Sequence, residues 1–356
     1  DGTLFPYTTL FRSFLKPDAA NLLAVRVRHF SSTHPVFHAP EDKNIGWFAG
    51  KMHLDLTANA FVEDMLVHAE SVGDPAMVKA SVGVRNTAPT PFTGAMTVNL
   101  YPWFPEESST HAASLRLPVR LTAWGAATIG AAVPVPHARL WTSRTPNLYL
   151  AEVVLSDSAG KAIDDCADTF GIRTVSQDGG TFRVNGKPEM LNGAQIMGFR
   201  MPADRLALWN RCPPPEWLMR EILMIRRMNG NLLRVHVHAW TYPEPEGGIN
   251  DPRIAEMCDQ MGVMLIWPTS AWIREGEAWG IDFDGYPKYM WQVYNHPSIV
   301  MWEASNHPNR FKLYGPSESN RFMERVYNAI HPADASRLIS ATSFIGHLHY
   351  GNDLGT

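Results

Sequence analysis

Two apolar periods share this chain, and they meet close to Arg173. Upstream, the segments LLAVRVRHF, MHLDLTA, FVEDMLVHAE, VKASVGVRN, GAMTVNLYPW, ATIGAAVPV and LYLAEVVLSD alternate apolar and polar residues, with Gly, Pro, Asn and Asp gathered between them. Such alternation gives each strand one buried and one wet face, and short strands at this spacing predict β-sandwich packing. No long amphipathic helix interrupts them.

Downstream of FGIRTVSQDGGTFRVNGKP the period changes. Strand MLNGAQIMGF leads to helix PPPEWLMREILMIRRMNG, strand LLRVHVHAW to helix DPRIAEMCDQMG, and strand VMLIWPTS to helix YPKYMWQVYN. Strand SIVMWEAS, helix SESNRFMERVYNAI and strand RLISATS complete the series. Prolines before its first turn and Gly230 near its end bracket the first helix. Strands and helices in such alternation predict a parallel sheet, closed either as a doubly wound open sheet or as a (β/α)8 barrel. No glycine-rich phosphate loop follows the first strand, which weighs against nucleotide binding. Polar residues gather instead at the C-terminal strand ends: Arg234, His236 and His238, then Asn306 and His307, then Ser343. A barrel keeps its site at that edge, and with about five of its eight units here it would be incomplete.

Composition narrows the partners. A chain of 356 residues has room for two or three domains, and 45% hydrophobic with 19% charged residues suits a folded protein. A net charge of −4 without a basic block points to neither nucleic acid nor an anionic membrane surface. No apolar run approaches the roughly 18 residues of a membrane helix. Cys166, Cys212 and Cys258 are scattered, with neither a disulfide framework nor metal-ligand spacing. The 12 Trp suit a core first, and secondarily stacking on the apolar faces of sugars.

The first residues stand apart. Thr3–Ser13, TLFPYTTLFRS, has neither helix period nor strand alternation and reads like the translation of a sequencing-adapter oligonucleotide. Residues 1–13 are therefore expected to be foreign to the fold, and the ends of the chain are expected not to be natural ends.

From about Leu15 onward a set of short motifs falls into one order: LKPDAANLLAVRV, IGWFAGKMHLDLTANAFVEDMLV, WTSRTPNLYLAEVVL with FGIRT, FRVNGKPEMLNG, NLLRVHVH and YNHPSIVMWEASN. Together they resemble glycoside hydrolase family 2, the group of β-galactosidases, β-glucuronidases and β-mannosidases. The resemblance implies a multidomain chain: residues 14–57 the remnant of a jelly-roll domain, 58–175 an immunoglobulin-like β-sandwich, and 180–356 the first five units of a (β/α)8 TIM barrel. It also implies retaining hydrolysis of a terminal β-linked sugar in an oligosaccharide or glycoconjugate, with no organic cofactor. Two carboxylates do this work, about 5–5.5 Å apart across the scissile bond. One, after strand four, protonates a leaving oxygen too basic to depart unaided. The other, after strand seven, attacks the anomeric carbon.

One position departs from that pattern. The family carries Asn-Glu after strand four, and this chain carries Asn306-His307. The resemblance implies that Asn306 can still bond the sugar 2-hydroxyl. His307, with an ordinary pKa of about 6.5, could replace the acid, bind substrate, or be set in extended backbone by Pro308. This is either a fragment of a β-glycosidase or a carbohydrate-binding pseudoenzyme that has lost its acid; a sandwich interaction module fused to a degenerate barrel is a third reading. No strand-seven carboxylate follows ATSFIGHLHYGNDLGT, so the chain by itself is expected to be inactive.

Other rim residues have both a site and a structural reading. Arg234 matches the family's strand-two arginine, which orients the nucleophile by charge-assisted bonds, and a structural ion pair is its alternative. His236 and His238 share one strand face and could contact sugar; their spacing also allows a metal, but no third ligand accompanies them. Trp240, Trp267, Trp272 and Trp279 sit at or beyond strand ends; one or two could form a stacking platform, with Trp240 and Trp272 the candidates, and the rest are loop anchors. Glu303 lies about 13 Å below His307 on the same strand face, which suits a layer-filling or ion-paired role. Glu244, Glu246, Glu275 and Glu277 could each supply a displaced acid, with surface solvation the default, and His347 and His349 follow strand five.

Overall fold

The computed structural model describes residues 57–196, 199–200, 213–235, 246–247, 251–268, 286–303, 324–325 and 327–340, with Ala19 and Arg205. Segment 1–13, the strand LLAVRVRHF and most of MHLDLTA lie outside these.

Seven strands form the first layer pair: β1 (Ala60–Ser71), β2 (Ala76–Asn86), β3 (Phe92–Phe104), β4 (Ala113–Leu121), β5 (Ala126–Val135), β6 (Leu148–Asp157) and β7 (Ala162–Phe170). One antiparallel sheet has the order β1-β2-β5 and the other β4-β3-β6-β7. Their inner faces follow directly from the alternation: Val78, Ala80, Val82 and Val84 on β2 meet Met96, Val98 and Leu100 on β3 in one core. Two of these strands, β4 and β7, are absent from the sequence reading, and both are sheet edges. ASLRLPVRL contains Pro118, which only an edge tolerates well, and AIDDCADTF is interrupted by Asp164, Asp165 and Asp168. Charge and proline at an edge discourage pairing with another chain, and they also weaken the strand signal.

A small antiparallel meander follows, β8 (Val175–Asp178), β9 (Thr181–Val184) and β10 (Lys187–Pro188). Then five parallel strands appear in chain order: β11 (Gly193–Ile196), β13 (Leu232–Val235), β15 (Met264–Pro268), β16 (Ile299–Glu303) and β17 (Leu338–Ser340). A two-stranded pair, β12 (Phe199–Arg200) with β14 (Glu246–Gly247), lies between them in sequence. The order β11-β13-β15-β16-β17 never reverses. A doubly wound sheet would show such a reversal, so that closure does not describe these strands.

Helices with assigned bounds among the described residues are α1 (Pro215–Arg227), α2 (Pro252–Met261) and α3 (Tyr286–Trp291). Pro215 opens α1, where a missing N–H costs nothing, and Arg226 and Arg227 oppose the negative end of its dipole. It ends before Gly230, because Asn229 itself takes the left-handed conformation at φ 59°. Asp251 caps α2 by accepting from the Arg253 N–H at 3.1 Å. All three pack on one side of the parallel sheet, where Leu218, Ile254 and Met290 meet Leu233, Leu265 and Trp302.

Gly262 closes α2 at φ 65°, and a Cβ there would lie 2.3 Å from the Ser143 carbonyl oxygen in the β5–β6 connection. Gly262→Ala is expected to cost about 1–3 kcal/mol through left-handed strain and that clash, read as a lower urea midpoint.

The sandwich docks at the N-terminal ends of the parallel strands. Asn295, before β16, accepts from the Val67 N–H at 2.7 Å and donates to the Met65 carbonyl at 2.9 Å. Arg173, fully buried just after β7, donates to the carbonyls of Pro297 at 3.0 Å and Ile299 at 2.6 Å. The Trp141 indole donates to the Asp259 carbonyl on α2 at 2.9 Å. These contacts engage the N-terminal end of the sheet and not the C-terminal edge, where an α/β site belongs.

Candidate active site

The face of the parallel sheet turned from the helices carries one register row: Gln195, Arg234, Ile266, Met301 and Leu338. One step nearer the C-terminal edge on this face comes Glu303, whose register partners are Pro268 on β15 and Ser340 on β17. Arg234 reaches across this face. Its Nε donates to Glu303 Oε1 at 2.9 Å, Nη2 donates to the same oxygen, and Nη1 donates to Gln195 Oε1. The guanidinium side chain is 12% exposed and the carboxylate is fully buried. Three hydrogen bonds, two to Glu303 Oε1 and one to Gln195 Oε1, fix the direction of the arginine fork.

Arg234 therefore has the ion pair that was one of its two readings, and Glu303 is its partner. His236, His238, Trp240, Trp272, Asn306 and His307 lie outside the described residues, as do Glu244, Glu275, Glu277, His347 and His349. Glu246 falls in β14. Among the described residues, no three His, Cys, Asp or Glu side chains cluster as a metal site. Gln195 was not singled out by the sequence, since its partner Arg234 lies 39 residues away.

The best-developed electrostatics lie at the opposite end, beneath the sheet. Asp334 accepts from the Trp302 indole, Arg337 Nη1 and the Ser336 hydroxyl at 2.7, 2.7 and 2.6 Å. Burial would raise its carboxyl, but Arg337 and these hydrogen bonds hold it well below the usual range. His296 Nδ1 lies 2.6 Å from Asp259 Oδ2. Burial pulls that imidazole down, yet the carboxylate more than offsets it and the net shift is upward. His68, 3.0 Å from the Tyr294 hydroxyl, is depressed to about 4, chiefly by burial.

These shifts have opposite signs in stability. The His296 contribution is complete below the ordinary imidazole value of 6.5 and is lost as pH rises through its raised pKa. The His68 contribution is complete above 6.5 and is lost as pH falls toward 4, with Asp334 adding to the loss below its ordinary 3.8. Urea midpoints should therefore peak close to pH 6.5. Asp259→Asn should flatten the alkaline side and His68→Gln the acid side.

Fold and site thus define a multidomain, β-rich chain whose sandwich supports a parallel sheet from below. Residues 60–173 match the model of glycosyl hydrolases family 2. The chain is 27% identical over 214 residues to the β-galactosidase of Aeromonas hydrophila, covering 57% of this chain and 18% of that protein. It is 24% identical over 278 residues to the β-galactosidase of Vibrio vulnificus, covering 73% and 25%. In structure it resembles the β-glucuronidase of Bacteroides uniformis (TM-score 0.63, 21% identity, 80% of this chain and 34% of that one). A family 2 member from Bacteroides cellulosilyticus gives a TM-score of 0.65 at 19% identity, over 82% of this chain and 38% of that one. The likeness to glycosyl hydrolases family 2 thus lies in residues 60–173, and the chain spans about a fifth to a quarter of the length of the curated relatives it matches.

Proposed function

We propose that the whole protein is a retaining, exo-acting β-glycosidase that hydrolyses the O-glycosyl bond of a terminal β-linked sugar in an oligosaccharide or glycoconjugate. The observation that carries this reading is the buried Arg234–Glu303 pair on the helix-free face, one strand-end below the segment that continues into Asn306-His307. In this reading residues 58–175 are an immunoglobulin-like sandwich, 180–356 the first five units of a (β/α)8 barrel, and 14–57 a jelly-roll remnant. The relatives named β-galactosidase and β-glucuronidase support the substrate class.

Arg234, locked by Glu303 and Gln195, presents its fork to the attacking carboxylate supplied after a seventh strand. Asn306 bonds the sugar 2-hydroxyl, His236 and His238 contact its other hydroxyls, and Trp240 and Trp272 stack on it. His307 stands where the leaving oxygen receives its proton.

With full-length protein, His307→Ala should slow cleavage of alkyl β-glycosides by about 10²–10⁴-fold. Nitrophenyl glycosides, whose leaving group needs no proton, should be far less affected. A carbohydrate-binding pseudoenzyme is the second reading, favoured by the imidazole of His307 where the family pattern has a carboxylic acid. It predicts no turnover by the natural sequence and a gain on His307→Glu.

A further inference from the structure

The layer where the sandwich meets the parallel sheet carries a titrating contact of its own, at the end of the sheet away from the candidate site. β1 is an edge strand, and Asn295 satisfies two of its edge groups, the Val67 N–H at 2.7 Å and the Met65 carbonyl at 2.9 Å. Asn295 also donates to Asp168 on β7 at 2.7 Å. Beside these bonds, His68 Nδ1 lies 3.0 Å from the Tyr294 hydroxyl, and the two rings meet edge-on with centroids 5.9 Å apart. The Arg337 guanidinium lies over the Tyr294 ring, 5.0 Å from its centroid.

A neutral His68 fits this setting and a protonated one does not. The charges that face it are Asp334 and Arg337 before β17, Arg173 after β7, and Lys79, its register partner on β2. Asp334 is the anion among them, and it already accepts from Arg337, the Trp302 indole and the Ser336 hydroxyl. Tyr294 supplies no second anion, because burial pushes its hydroxyl up to about 12. Burial is the largest cause acting on His68; Asp334 opposes it, the three cations add to it, and the imidazole is lowered to about 4.

We propose that this layer is an acid-operated hinge: a proton on His68 breaks its contact with Tyr294 and lets the sandwich part from the sheet while both cores stay folded. The sandwich core and the helix–sheet core are separate clusters, joined by the smaller apolar cluster about Trp141. Once opened, His68 returns toward its ordinary 6.5, so opening takes up a proton and gains as pH falls from 6.5 toward 4. Asp334, held well below the usual carboxylate range, keeps its charge across that window. His296, raised by Asp259, is already largely protonated there, so neither group masks the effect.

The test is native-state hydrogen exchange of the 356-residue chain in low urea. The probes are the Val67 N–H and the Trp141 indole, which donates to the Asp259 carbonyl across the layer. Both should exchange through an opening whose urea dependence is clearly smaller than that of the core amides of β2 and β13. From pH 6.5 to about pH 4.5 the opening constant should rise about ten- to fortyfold, the uptake of one proton between values of 6.5 and about 4. His68→Gln, which can still bond Tyr294 but takes no proton, should abolish that rise. If the variant folds poorly, the His68 ring of the natural sequence can be followed by NMR instead, and it should titrate near 4. Exchange of both probes with the full urea dependence of the core amides, a rise retained in His68→Gln, or a His68 ring titrating close to 6.5 would each overturn the proposal.

Discussion

Asp334→Ala should destabilise the parallel-sheet region by about 3–5 kcal/mol, the largest effect expected of any single polar substitution here. The size comes from what is left behind. Arg337, itself 3% exposed, lies between the Tyr294 and Trp302 rings with its guanidinium about 5.0 and 5.1 Å from their centroids. It donates to the carbonyls of Ile299 at 2.9 Å and His296 at 3.0 Å, so it cannot swing out to water without dismantling the turn before β16. Removing the carboxylate leaves that charge buried beside neutral acceptors. The Asp334→Ala/Arg337→Met pair should lose clearly less than the sum of the two single changes. Urea titrations of the four proteins supply the cycle, and additive losses would mean that the two side chains act independently.

Trp141→Ala should cost a similar 3–5 kcal/mol, for a different reason. The indole is fully buried among Leu148, Val184, Met264 and Val300, residues drawn from the sandwich, the meander and the parallel sheet. No one element can collapse into the space it leaves. Trp141→Phe keeps most of the volume and loses the hydrogen bond to the Asp259 carbonyl, so it should cost much less than alanine. Equal losses for the two variants would show that the bond, and not the packing, joins the layers.

The two regimes of the fold are legible in the sequence because each rests on a local period. Val78 to Val84 alternate as a strand must, and Pro215 and Asp251 mark helix starts by chemistry that acts within one turn. Edge strands β4 and β7 are not legible, since Pro118 and the Asp164–Asp165 pair suppress the same signal that makes them strands. The docking layer is also invisible, because its bonds join residues far apart in sequence: Arg173 and Pro297 are 124 residues apart, Val67 and Asn295 228. Of the candidate site, Arg234 is legible by its match to the family motif and Glu303 by strand alternation from His307. Gln195 is visible only once β11 and β13 are in register.

The most direct test of the glycosidase reading is to follow cleavage of a nitrophenyl β-glycoside by the full-length protein with proton NMR. A retaining mechanism predicts that the β-anomer of the released sugar appears first and then mutarotates. First appearance of the α-anomer, or no release from any of the galactoside, glucuronide and mannoside substrates, would contradict it.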